Sequence, residues 1–310
     1  MTVSRRSLAA VALVGTLALS GCSAGSTSAG SASGEPVSVV TAFYPLQFVV
    51  EKVGGDRVRA TSLTAPGTEP HDLELTPQQV ASVSDASLVV YLAGFQPAVD
   101  DAVAQESRNA LDAGTGIARL AATASQVEEA TSDGGTAPVT DPHVWLDPTN
   151  LQKIVDSVAA RLSQIDPAGA ETYRANATAL DAQLSDLDVA WKKGTTTCAN
   201  RDLVVSHEAF GYLSKRYGFT QRGISGLSPD AEPSPAKIAE VADFVRANGV
   251  TTIYYESLVD PKVAQTVATE TGAATAMLDP LEGLAQGSTD DYLTVMRKNL
   301  ETVQKGQSCS

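Results

Sequence analysis

The stretch "PAGAETYRANATALDAQLSDLDVAWKKG", residues 167–194, decides the architecture. Tyr173, Ala177, Leu180, Leu184, Leu187 and Trp191 recur at alternating steps of four and three. That spacing draws a single apolar stripe along one long helix of roughly seven turns, which Gly194 ends. On both sides of it, strand patterns alternate with helix patterns. Before it, "VSVVTAFYPL" (37–46) and "VRATSLT" (58–64) read as strands, and "QFVVEKVGGD" (47–56) as a short helix closed by glycines. "TPQQVASVSDASLVVYLA" (76–93) is a capped helix running into a third strand. "HVWLD" (143–147) is a further strand candidate, followed by a helix from Pro148. After the long helix the pattern restarts in "DLVVSHEAFGYLSKRYGF", "SPAKIAEVADFVRANGVTTIYYE" and "DPKVAQTVATETGAATAMLDP", with a last helix from Asp290 to about Val303. Strand–helix alternation at this spacing builds parallel βαβ units. The predicted fold is therefore α/β: an N-terminal βα lobe over 37–165, a connecting long, rigid helix over 166–195, and a C-terminal βα lobe over 196–310. A ligand site is expected in the cleft between the lobes, beyond the carboxyl ends of the strands.

The beginning of the chain carries a different message. Arg5 and Arg6 precede a short apolar run, the plan of a secretory signal over residues 1–21, too short to span a membrane as a mature helix. Leu19-Ser20-Gly21-Cys22 resembles the bacterial lipobox, which implies lipidation of Cys22 and an extracytoplasmic protein anchored to the cell membrane. The Ser/Gly/Ala-rich continuation makes residues 22–36 a flexible tether. Cys198 and Cys309 then remain as a pair, and in an oxidising compartment a pair reads as one disulfide. Without Arg5 and Arg6 the chain has 20 basic residues against 36 acidic ones. So acidic a surface argues against nucleic acid and suits a cationic ligand.

The chain has only three histidines, and all three fall at strand ends or in the loops after them. His71 follows "LTAPGTEP", His143 opens "HVWLD", and His207 follows "DLVVS". A fourth candidate at the same topological place is Asp279, between "ATAML" and Pro280. Neutral imidazole and carboxylate are zinc ligands, and four protein ligands complete a tetrahedron. A complete set leaves no open position for a hydrolytic water, so the expectation is binding rather than catalysis, and not a metallohydrolase. His207-Glu208 begins like H-E-x-x-H, but Gly211 stands where the second histidine is needed. Neither a nucleophile elbow, a P-loop nor a dinucleotide glycine fingerprint occurs. Glu69 is near enough in sequence to be an alternative carboxylate, and Asp141 or Asp147 is expected to orient the His143 ring through its other nitrogen.

"TEPHDLELTPQQVASVSDASLVVYLA", "DPHVWLDPTN", "VVSHEAFGYLSKRYGF", "IYYESLVDPKVAQTVATETGAATAMLDPLEG" and "DYLTVMRKNLETV" resemble the zinc/manganese solute-binding lipoproteins of ATP-binding cassette importers. The resemblance runs in order through residues 37–305. It implies two βα lobes joined by a rigid helix, metal ligands at His71, His143, His207 and Asp279, and delivery of the ion to a membrane permease. Manganese-type members usually carry glutamate at the third ligand position, where this chain has His207. Three nitrogens and one carboxylate favour Zn²⁺ over Mn²⁺. Zinc-type members often carry a histidine-rich loop before the second ligand; residues 121–141 here contain none, only acids such as Glu128, Glu129, Asp133 and Asp141. That departure leaves a manganese receptor as the alternative. A surface adhesin is a further reading, for which no sequence feature singles out a binding patch.

Overall fold

The computed structural model describes residues 35–123, 126, 140–229 and 232–310. The signal segment 1–21, Cys22 and most of the 22–36 tether lie outside the described residues, as does most of the acidic loop 121–141. Among the described residues, no helix is long and apolar enough to cross a membrane.

Two four-stranded parallel sheets form the frame. The first contains β1 (Val37–Thr41), β2 (Val58–Ser62), β3 (Leu88–Tyr91) and β4 (Ala110–Asp112), in the order β2-β1-β3-β4. The second contains β5 (Asp202–Val205), β6 (Thr220–Gly223), β7 (Thr252–Tyr255) and β8 (Ala274–Met277), in the equivalent order β6-β5-β7-β8. Central strands of a parallel sheet are covered on both faces and so read as unbroken apolar runs. Leu88, Val89 and Val90 in β3, and Leu203, Val204 and Val205 in β5, are all buried. Edge strands need no such run. β6 is "TQRG" and β4 is only "ALD", too short and too polar to show an apolar alternation.

Helices α1 (Tyr44–Gly54), α2 (Pro77–Asp85) and α3 (Pro97–Glu106) serve the first sheet, followed by α4 (Pro148–Ile165). Local chemistry sets their ends. Thr76 and Gln79 form a reciprocal capping box at α2, and Asp147 caps α4 by accepting from the Thr149 N–H. The second sheet carries α6 (Gly211–Tyr217), α7 (Pro235–Asn248), α8 (Lys262–Thr271) and α9 (Tyr292–Gly306). Gly249, at φ 61°, closes α7 in the left-handed conformation that residues with a Cβ adopt reluctantly. "HVWLD" is not a strand: Val144–Leu146 form one 3₁₀ turn, wholly buried, between Pro142 and the Asp147 cap.

The long helix α5 (Ala170–Gly194) joins the two halves. All six stripe residues are buried, Tyr173, Leu184 and Trp191 at 0% exposure. Each large side chain on the stripe contributes on the order of 1.5–3 kcal/mol by leaving water. Trp191 stacks on Tyr217 of α6 with ring centroids 5.1 Å apart, and its Nε1 donates to the Met296 carbonyl of α9. Beside it, Arg216 of α6 is bidentate on Asp188 of α5 (2.6 and 2.9 Å) and reaches Asp147 at 3.2 Å. One apolar core thus runs from the first sheet along α5 into the second half, and a charged network crosses the same joint. Cys198 and Cys309 are disulfide-bonded, tying the segment before β5 to the residues just after α9.

One group on α5 works against stability. Asp181 Oδ1 is buried without a hydrogen-bond partner. Burial, with Asp156 nearby, pushes its carboxyl up to about 6. The native state therefore binds more protons than the unfolded chain between about pH 4 and about pH 6, and stability falls as pH rises through that window. Asp181→Asn is expected to stabilise the protein at pH 7 by about 1 kcal/mol, a figure already reduced for partial exposure. Urea midpoints of the two proteins should converge at pH 4; a gap equal at both pH values contradicts the assignment.

Candidate metal centre

The three histidines, distant in sequence, meet in the cleft. His71 sits in the loop after β2, His143 is the residue before the 3₁₀ turn, and His207 is two residues beyond β5. Their Nε2 atoms converge on one carboxylate oxygen, Glu282 Oε1, at 3.2, 3.0 and 3.1 Å respectively. The four ligand atoms all lie within 4.8 Å of one another, and the residues are buried. Zinc bonds of 2.0–2.1 Å in a tetrahedron place neighbouring ligand atoms about 3.3 Å apart, close to the three distances from Glu282 Oε1 to the histidine nitrogens.

The carboxylate the structure brings to the three histidines is Glu282, where the sequence pointed to Asp279. Both belong to the segment after β8, but Asp279 spends its oxygens on Leu281 N–H (2.7 Å) and Ser257 Oγ–H (2.8 Å). The available signal was the Glu in "LDPLEG", three residues on; period and spacing alone do not choose between two acids in one loop.

Carboxylates behind the rings set which nitrogen faces the centre. Asp141 Oδ1 accepts the His143 backbone N–H at 2.9 Å and lies 2.8 Å from its Nδ1. Asp147, the other candidate for that role, is occupied by the α4 cap and Arg216. At His207 the equivalent partner is Glu256, 2.9 Å from Nδ1 and also accepting from Ser206 Oγ at 2.6 Å. Glu256 ends "TIYYE" at the carboxyl edge of β7, and the pairing of β7 with β5 sets it beside His207. Glu69 accepts the backbone N–H of His71 at 3.0 Å, while its Oε1 lies 4.0 Å from His71 Nε2.

When Nδ1 of His143 and of His207 donates to a carboxylate, Nε2 is left with a lone pair aimed at another carboxylate. Acceptors facing an acceptor at 3 Å repel unless a cation or protons lie between them. Burial disfavours charge at every ring. At His143, Asp141 and Glu282 outweigh burial and hold the imidazolium above the ordinary range. At His207, Glu256 and Glu282 do so more strongly, whereas at His71 burial outweighs Glu282 and proton affinity falls. Glu282 is opposed by burial too, but His207, His71 and His143 keep it well below the usual carboxylate range. The centre is thus poised for positive charge.

An apolar wall backs it. Phe95 packs edge-on against His71 at 4.7 Å, and Trp145 lies 5.2 Å from both His143 and Phe95. A cavity of about 380 Å³ also adjoins Glu282, lined among others by Tyr44, Phe48, Pro66 and Leu284.

The family model of the periplasmic component A of zinc-uptake complexes matches residues 39–306. The chain belongs to this family. The "High-affinity zinc uptake system protein ZnuA" of Bacillus subtilis (strain 168) is 34% identical over 297 residues, 93% of this chain and 93% of that protein. The "Zinc-binding lipoprotein AdcA" of Streptococcus pneumoniae (strain ATCC BAA-255 / R6) is 35% identical over 279 residues, 87% of this chain but 55% of that longer protein. Among solved structures, the Zn(II)-bound ZnuA-like domain of Streptococcus pneumoniae AdcA superposes with a TM-score of 0.74 at 33% identity, covering 88% of this chain and 99% of that one. The laminin-binding adhesin Lmb of Streptococcus agalactiae, in a mutant structure, reaches 0.78 at 31% identity, covering 87% and 99%. Members of this family are solute-binding receptors, not enzymes.

Proposed function

We propose that this protein is the extracytoplasmic zinc receptor of an ATP-binding cassette importer, held to the membrane by a lipid on Cys22. His71, His143, His207 and Glu282 hold the ion, which is cargo handed to a permease and takes part in no reaction. The observation that carries this reading is the convergence of three Nε2 atoms on one buried carboxylate oxygen, with Asp141 and Glu256 fixing two of the rings. A donor set of three nitrogens and one oxygen suits Zn²⁺ better than Mn²⁺, which prefers oxygen-rich, higher-coordinate sites. The zinc-binding relatives support the same choice.

The test is a competition titration with chelating indicators, metal by metal and over pH. Tight 1:1 Zn²⁺ binding, much stronger than Mn²⁺ binding, is expected. His143 and His207 hold protons more firmly than a free imidazole, so zinc must displace them, and affinity should fall as pH is lowered. The loss should be about tenfold per pH unit for each proton displaced. Weak or manganese-selective binding rejects the zinc assignment.

A further inference from the structure

Leu281, the residue immediately before Glu282, has φ 57°. A leucine seldom adopts this left-handed conformation, and it persists only where surrounding contacts hold it. Those contacts converge on Asp279. Its Oδ1 accepts the Leu281 N–H at 2.7 Å, closing a turn over Pro280, and its Oδ2 accepts from Ser257 Oγ at 2.8 Å. Its own backbone is clamped by Asn299 of α9 on both sides: N–H to Oδ1 at 3.0 Å, carbonyl from Nδ2 at 2.7 Å. The next carbonyl, of Pro280, accepts from Trp145 Nε1 at 2.8 Å, within the turn that carries His143. The Leu281 side chain is itself fully buried.

Resting on the zinc reading above, we infer that Asp279 is a positioning residue: by holding Leu281 in its left-handed conformation, it aims the Glu282 carboxylate at the three histidines. The geometry gives it this indirect role because both of its oxygens are committed to the loop. Losing the Oδ1 acceptor leaves a buried N–H without its partner and frees Leu281 to return to an ordinary conformation. Rotation at Leu281 swings the very next side chain, and the cavity beside Glu282 gives that carboxylate somewhere to go. The Trp145–Pro280 bond links the loop to the His143 turn, so the same strap keeps two ligands in register. A positioning role differs from ligation in what it requires of residue 279. Ligation needs the negative charge; holding the Leu281 N–H needs only an acceptor at Oδ1, which asparagine supplies.

The experiment compares Asp279→Asn, Asp279→Ala and Glu282→Gln in the full chain. Zinc affinity is measured by competition, the visible spectrum with Co²⁺ in place of zinc, and hydrogen exchange at the Leu281 amide by NMR. Asp279→Asn should bind zinc within about threefold of the parent and keep its Co²⁺ spectrum and a protected Leu281 amide. Asp279→Ala should lose about 10- to 100-fold in affinity, the range typical of groups that orient a ligand, and expose that amide. Glu282→Gln should alter the Co²⁺ spectrum while leaving the amide protected. An Asp279→Asn protein as impaired as Glu282→Gln, with a changed spectrum, overturns the inference, as does an Asp279→Ala protein that binds like the parent. If Asp279→Ala does not fold, the asparagine variant against Glu282→Gln decides alone. A parent that takes no zinc overturns the zinc reading instead, and exchange at the Leu281 amide still tests the hold by Asp279.

Discussion

Replacing His143 with alanine is expected to weaken zinc binding by about two to three orders of magnitude while the protein stays folded. The total free energy of a closed four-ligand zinc site is about 10–16 kcal/mol, so one ligand of four carries about 2.5–4 kcal/mol. Every 1.4 kcal/mol is tenfold in affinity, which gives the stated range. His143 is fully buried, and alanine offers no nitrogen in its place. The fold should survive because the turn is held independently of the ring. Asp141 still accepts the backbone N–H of residue 143, and Tyr292 Oη still donates to the Trp145 carbonyl at 2.6 Å. Competition titration measures the affinity, and circular dichroism checks the fold. A variant that titrates like the parent removes His143 from the centre.

The second large effect concerns stability. The Cys198–Cys309 bond closes a loop with a sequence separation of 111 residues. In the chain-entropy model a loop of that size destabilises the unfolded state by roughly 4.7 kcal/mol. At about 2.1 cal/mol/K per residue, each kcal/mol moves the midpoint of a chain this long by about 1.5–1.7 °C, so Cys198→Ser with Cys309→Ser should lower Tm by roughly 7–8 °C. Metal binding should be little changed. Cys198 lies before the start of β5, whereas His207 lies beyond its other end, and the final turn retains its own ties: Gln307 Nε2 donates to the Asp202 carbonyl at 2.9 Å. Calorimetry of the metal-free proteins is the measurement. A shift within 2–3 °C contradicts the loop-closure account.

The long helix was readable from residues because its signal is local. Tyr173 through Trp191 repeat on one face, and the predicted stripe is the buried one. The central strands were readable for the same reason, since burial on both faces demands runs such as "LVVY" and "DLVV". The edge strands β4 and β6 were not, because an edge pairs along one side only and its composition is free to be polar. "HVWLD" carried a strand's apolar run, yet it is buried as a 3₁₀ turn. Burial selects apolar residues whatever the backbone does, and the flanking Pro142 and the Asp147 cap leave room for one turn.

The centre divides in the same way. That His71 and His207 occupy the loops after β2 and β5 was legible in the sequence, whereas His143 opens what reads as a strand and is a 3₁₀ turn, so its place was not. Nor was the acid that completes the set. Asp279 and Glu282 share one loop, one charge and one distance from β8 to within a turn. Hydrogen bonds from Ser257 and Asn299, together with the left-handed backbone at Leu281, commit the first to the loop and send the second to the histidines. Sequence alone determined the two-sheet frame and its connecting helix and singled out the three histidines as candidates, because periodicity and residue scarcity are read along the chain. Tertiary structure decided the carboxylate and the Asp141 and Glu256 supports, because a ligand set is a matter of which side chains reach one point.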